Sequence, residues 1–149
     1  MAISPHPVQR LLEDASQAGV YHLARSHQAA LKAAAVAAGL AVFDVSLADA
    51  ARIELVLAQL GRELAFPRWY GCNYDALKDC LSDLSWCAAT GYVLLLSGAE
   101  TLAAKDPAAF RTLNQVFAAA IDDWQSQGVP MWVFYDLRAD GLATLPLPG

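Results

Sequence analysis

Two periods of apolar spacing alternate along this chain. GVYHLA (19–24), LAVFDVSL (40–47), GYVLLLSG (91–98) and MWVFYDL (131–137) are short runs rich in aliphatic and aromatic residues, and they read as strands. The segments between them carry a helical period. HQAALKAAAVAAG is made of strong helix formers and stops at Gly39. DAARIELVLAQLGRELAF places Ile53, Leu57, Leu60 and Leu64 on one face, with Asp49 as its expected N-cap and Pro67 as its stop. Asn73 is expected to cap the next helix, whose apolar face is Tyr74, Leu77, Leu81 and Leu84. Asp106-Pro107, a cap followed by proline at the first helical position, opens a long helix that Gly128 ends. Pro5 and Pro7 precede a short amphipathic run ending near Gly19, and residues 138–149 read as a loose tail. The unbroken apolar run in GYVLLLSG predicts a strand covered on both faces. Strands alternating with helices predict a single α/β domain, a small and mostly parallel sheet flanked by helices, joined by right-handed crossovers.

In WYGCNYDALKDCLSDLSW (69–86), Asp75, Asp79 and Asp83 recur every four residues. On a helix such neighbours face each other, and like charges there cost a few tenths of a kcal/mol per pair. The stripe points away from the apolar face, so it is either a wet surface or a face built for something positive. The helix dipole favours Asp75 in the first turn, which accounts for one carboxylate and not three. A metal would need ligands from elsewhere to close its shell. The large aromatics Trp69 and Tyr70 beside the helix start, together with the carboxylates, have the character of an interface hot spot. One of the two is expected to cover the core instead.

Composition narrows the classes. At 149 residues, 56% hydrophobic and 17% charged, the chain can bury most of its apolar surface in one domain. The net charge of −5 lies entirely in the second half: residues 1–70 hold six basic and six acidic side chains, residues 71–149 four and nine. Such a field disfavours nucleic acid and favours a basic partner. The apolar stretches are interrupted or too short for the roughly 20 residues a bilayer needs, and no signal peptide is visible. Cys72, Cys80 and Cys87, odd in number and without C-x-x-C spacing, are expected to be free thiols in a reducing cytoplasm. Nucleotide-binding, zinc-protease and serine-hydrolase motifs are missing. His6, His22 and His27 lie far in sequence from the stripe, and His22 and Cys80 read as structural. Neither an enzyme nor a cofactor or metal is expected.

ELAFPRWYGCNYDALKDCLSDLSW resembles the barstar family of intracellular ribonuclease inhibitors. There a helix ends at Leu-x-x-Pro, an aromatic pair and glycine follow, and Asn-x-Asp-Ala-Leu-x-Asp-Cys-Leu begins the next helix. The likeness continues through GYVLLLSG, the helix ending QSQG, and MWVFYDL. It implies a barstar-like domain over residues 39–137, a small parallel sheet flanked by helices. Residues 1–38 (helix, strand, helix) are then an extension packed on the same domain, expected to add one strand, and 138–149 a C-terminal tail. The resemblance also implies a mechanism of stoichiometric occlusion without catalysis. The helix and its preceding loop enter the active site of a small basic ribonuclease of the barnase type, and carboxylates take the places of RNA phosphates. Asp75 and Asp79 are the implied phosphate mimics, and Trp69, Tyr70, Gly71 and Asn73 supply the loop. Asp83 extends the stripe. Asp123, or Asp122 one register step away, is the contact from the long helix. Free, the protein is expected to be a cytoplasmic monomer. The alternative is an interaction module on the same fold for another basic protein. Departures from the namesake bear on the cognate enzyme: Lys78 where it has an aromatic, Cys72 for a polar or acidic residue, and a longer SDLSWCAATG.

Overall fold

The computed structural model describes residues 11–12, 14–137 and 143–144. In chain order it contains β1 (Val20–His22), α1 (Arg25–Ala37), β2 (Ala41–Ser46), α2 (Ile53–Glu63), α3 (Tyr74–Asp83), β3 (Tyr92–Ser97), α4 (Glu100–Lys105), α5 (Pro107–Gln125), β4 (Met131–Tyr135) and β5 (Ala143–Thr144). The strands form one sheet in the order β2-β3-β4-β1-β5, and every pairing is parallel. β1 adds to the edge of β4 with Val20 opposite Val133, so the N-terminal region does extend the sheet. Of the expected tail, Ala143–Thr144 instead pair with β1, and its other residues lie outside those described.

Side-chain alternation divides the interior into two cores. On β3, Tyr92, Leu94 and Leu96 face one side with Met131, Val133 and Tyr135 of β4, and pack against α2, α3 and α5. Val93, Leu95, Trp132 and Phe134 face the other side, under Leu31, Ala34 and Ala35 of α1, with Leu12 and Leu23. Strands covered on both faces need apolar residues at every position, which is why GYVLLL carries no alternation. Small alanines on α1 let that helix lie close over the large Trp132 and Phe134. Arg25, at the start of α1, donates from Nε to Asp136 Oδ2 at 2.9 Å, just beyond β4, where the carboxylate is almost fully buried.

Helix ends explain where the sequence reading holds and where it slips. Gly39 has φ +78°, and the bonds Gly39 N–H to Val36 O and Leu40 N–H to Ala35 O close α1 with a left-handed residue. Asp106 caps α5 as expected, accepting from Ala109 N at 3.1 Å. Asp49 does not cap α2. Ala50 N–H bonds to Leu47 O, so Asp49 is held in a turn ahead of the helix, and the N-cap is Arg52 with no side-chain bond. Pro67 does not end α2 either. The last helical residue is Glu63, four residues earlier, and beyond it Ala65 takes φ +55° and Phe66 N–H reaches Gly61 O at 2.9 Å. The short α4, which the apolar spacing does not predict, ends at Asp106, the residue that caps α5.

Among the described residues one buried side-chain donor lacks a partner: Trp132 Nε1, in a fully buried residue. Trp124 Nε1, by contrast, donates to Leu81 O at 2.6 Å. An unmade buried hydrogen bond costs roughly 1–3 kcal/mol. Trp132→Phe therefore sheds an unpaired donor, offsetting part of the cavity cost, whereas Trp124→Phe strands a carbonyl. Chemical denaturation should find Trp124→Phe the more destabilising of the two, and the reverse order would contradict this.

Candidate protein-binding interface

α3 is positioned by a cap at one end and by α5 along its side. Asn73, extended at φ −131°, accepts from Ala76 N at 2.7 Å through its side chain, as the sequence predicted. Leu77, Cys80, Leu81 and Leu84 are fully buried. Tyr74 reaches Ala109 O at 3.4 Å, and Trp124 of α5 closes on Leu81 O while its ring tilts against Tyr92. With that face pinned, Asp75, Asp79 and Asp83 are all exposed. Asp83 is the last helical residue, at the negative end of the dipole, a position where a carboxylate gains nothing from the helix.

The preceding loop separates its two aromatics. Trp69 is 59% exposed. Tyr70 turns inward, donating from its hydroxyl to Leu57 O at 2.8 Å and meeting Phe66 edge to face at 4.8 Å. Its ring lies over Gly61, where a Cβ would come within 2.6 Å, so glycine in the last turn of α2 makes room for the ring. Tyr70 is thus the aromatic that covers the core, and Trp69 the one that stays exposed. Gly71 and Cys72 are exposed, Cys72 at φ +52°.

Several supporting residues escaped the sequence reading. Trp86, 37% exposed, donates from its indole to Leu64 O at 3.2 Å and packs edge-on against Phe66, continuing the aromatic brace behind the loop. The aromatic at 86, just beyond the helix, and the glycine inside α2 were the available signals. On α5, Asp123 reaches α3: its Oδ2 lies 3.0 Å from Lys78 Nζ and accepts from Ser82 Oγ at 3.0 Å. These two groups, Lys78 first, hold the Asp123 carboxyl below the usual carboxylate range. Asp122, one residue back, is exposed.

The family model described as Barstar (barnase inhibitor) matches residues 40–136. The chain belongs to the barstar family. No curated protein matches it. The matched span contains β2, β3 and β4, α2 to α5, and the whole of the loop and acidic helix; β1 and α1 lie outside it. The family is described by its inhibitor activity, as barnase inhibitors. His22, buried in β1, pairs through Nδ1 with Leu137 O at 2.9 Å in a structural role. Among the described residues no group of three or more His, Cys, Asp or Glu could hold a metal ion, and no helix is long and apolar enough to cross a membrane.

All three cysteines are free thiols. Burial, with Asp79 and Asp83 adding to it, pushes the Cys80 thiol up to about 11, so it is inert at neutral pH. Thiol titration of unfolded, unreduced protein should count three groups; a count of one would mean a disulfide. In the native state exposed Cys72 should react first and Cys80 last.

Proposed function

We propose that this barstar-family protein is a stoichiometric inhibitor that blocks the active site of a basic ribonuclease of the barnase type, acting in the cytoplasm. The observation that carries the reading is the family match across a segment whose acidic helix and aromatic loop stand exposed together. Asp75 and Asp79 act as phosphate mimics for the cationic side chains of the enzyme. Trp69 is the aromatic anchor, with Gly71 and Asn73 contributing loop contacts and Tyr70 bracing the loop from behind. Asp83 and the α5 acid Asp123 lie at the margins of the face. Occlusion requires neither cofactor nor catalysis.

The test uses this protein as bait, followed by an RNA-cleavage assay on the captured protein at increasing inhibitor. Complete loss of cleavage at one equivalent is the expected result. A captured basic protein without ribonuclease activity, or a nuclease still active at saturation, would overturn the proposal and favour an interaction module for another basic protein.

A further inference from the structure

The face presented by α3 is not uniformly acidic. On a helix of 3.6 residues per turn, Lys78 and Ser82 fall within about 60° of Asp75 on one side, with Asp79 and Asp83 on the other. Asp123 comes from α5 to the Lys78 flank. A single oxygen of that carboxylate, Oδ2, takes both the Lys78 ammonium and the Ser82 hydroxyl, each at 3.0 Å. Both charged side chains are about half exposed, 44% for Lys78 and 45% for Asp123, so the pair lies within the surface a partner would cover.

We infer that Lys78 is a specificity residue of this face: by tying Asp123 into an internal ion pair, it selects partners that set cations against Asp75 and Asp79 but an acceptor, a carboxylate or carbonyl, against the flank of α5. The inference rests on the reading of the face as a site for a basic protein. A guanidinium arriving opposite Asp123 would have to displace the Lys78 ammonium from Oδ2 or sit beside it on Oδ1. In either case the ammonium stays tethered to the same turn of α3, facing the newcomer, and like charges brought together in an interface discriminate strongly between partners. An acceptor at that place meets the ammonium without breaking the pair. Asp123 therefore serves the face as an anchor for Lys78, and the phosphate-mimicking charge is concentrated on two helical turns.

The pair can be probed without any nuclease. Hexaarginine at low ionic strength is the probe, and the NMR shifts of the aspartate side-chain carboxyl carbons are the readout. In the parent protein the peptide should move Asp75 and Asp79 and leave Asp123 unmoved. In Lys78→Met, which keeps the stem and removes the charge, Asp123 should join them and the peptide should bind roughly two- to fivefold tighter. Lys78→Arg, which can remake the pair, should return the parental pattern. An Asp123 that responds as strongly as Asp75 in the parent, or stays silent in Lys78→Met, overturns the inference. Ribonuclease inhibition is measured separately. A chain that shows this pattern but inhibits no ribonuclease retains the role of Lys78 and rejects the nuclease as partner; inhibition with the pattern absent does the opposite.

Discussion

Replacing Asp79 with alanine should weaken binding to a cognate ribonuclease by at least about 30-fold while leaving the free protein as stable as before. In the complex the change leaves cationic groups of the nuclease buried and unpaired. That costs roughly 2–5 kcal/mol or more, a range drawn partly from the barnase–barstar pair itself, and about 1.4 kcal/mol is tenfold in affinity. In the free protein the sign differs. Asp79 is exposed, with Asp75 and Asp83 one turn away on either side, so its removal relieves two repulsions and stability should hold level or rise by a few tenths of a kcal/mol. Asp75→Ala should bind as poorly, with a slight loss of stability because a first-turn anion is lost. Asp83→Ala, at the far end of the helix, should bind closer to the parent. Added salt should slow association more than it speeds dissociation. Calorimetric or kinetic binding together with melting of the three single variants decides the matter. An Asp79→Ala protein that binds as tightly as the parent would make the stripe a merely wet surface.

The opposite combination, stability lost with binding retained, is expected on the other face of the sheet. Leu31 is fully buried in the second core, against Val93, Leu95, Trp132 and Phe134. Leu31→Ala leaves a cavity there and should cost roughly 2–5 kcal/mol. For a chain of 149 residues that lowers the melting temperature by about 4–20 °C. Well below the transition, affinity for the partner should be unchanged, because the acidic helix packs on the opposite core. Deleting residues 1–38 goes further. It removes β1 and α1 together, turns β4 into an open edge and exposes Trp132 and Phe134. Such a chain should aggregate or lose its cooperative unfolding transition. A 39–149 protein that unfolds with the parental midpoint and denaturant slope would show that the N-terminal region is dispensable to the fold. That result would also leave the two buried faces of β3 unexplained.

Local chemistry made much of this protein readable in advance. Asn73 and Asp106 announce helix starts because a cap is a contact over three residues. Gly39 announces a stop because a left-handed residue suits glycine. The outward course of Asp75, Asp79 and Asp83 follows from helical spacing, and the double burial of β3 from its unbroken apolar run. Asp49 and Pro67 misled for a local reason as well. Each is a plausible terminator by type, but a turn at Leu47–Ala50 and a left-handed Ala65 place the ends of α2 elsewhere. Tertiary structure alone decided which of the two loop aromatics faces out, because that choice depends on Gly61 leaving room for the Tyr70 ring and on Leu57 offering its carbonyl. It alone brought Lys78 and Ser82 to Asp123, and Arg25 to Asp136, across separations of 41 residues for Ser82 and 111 for Arg25. Spacing along one element sets which way a side chain points. What it meets there depends on how elements distant in sequence pack, and no periodicity within one helix encodes that.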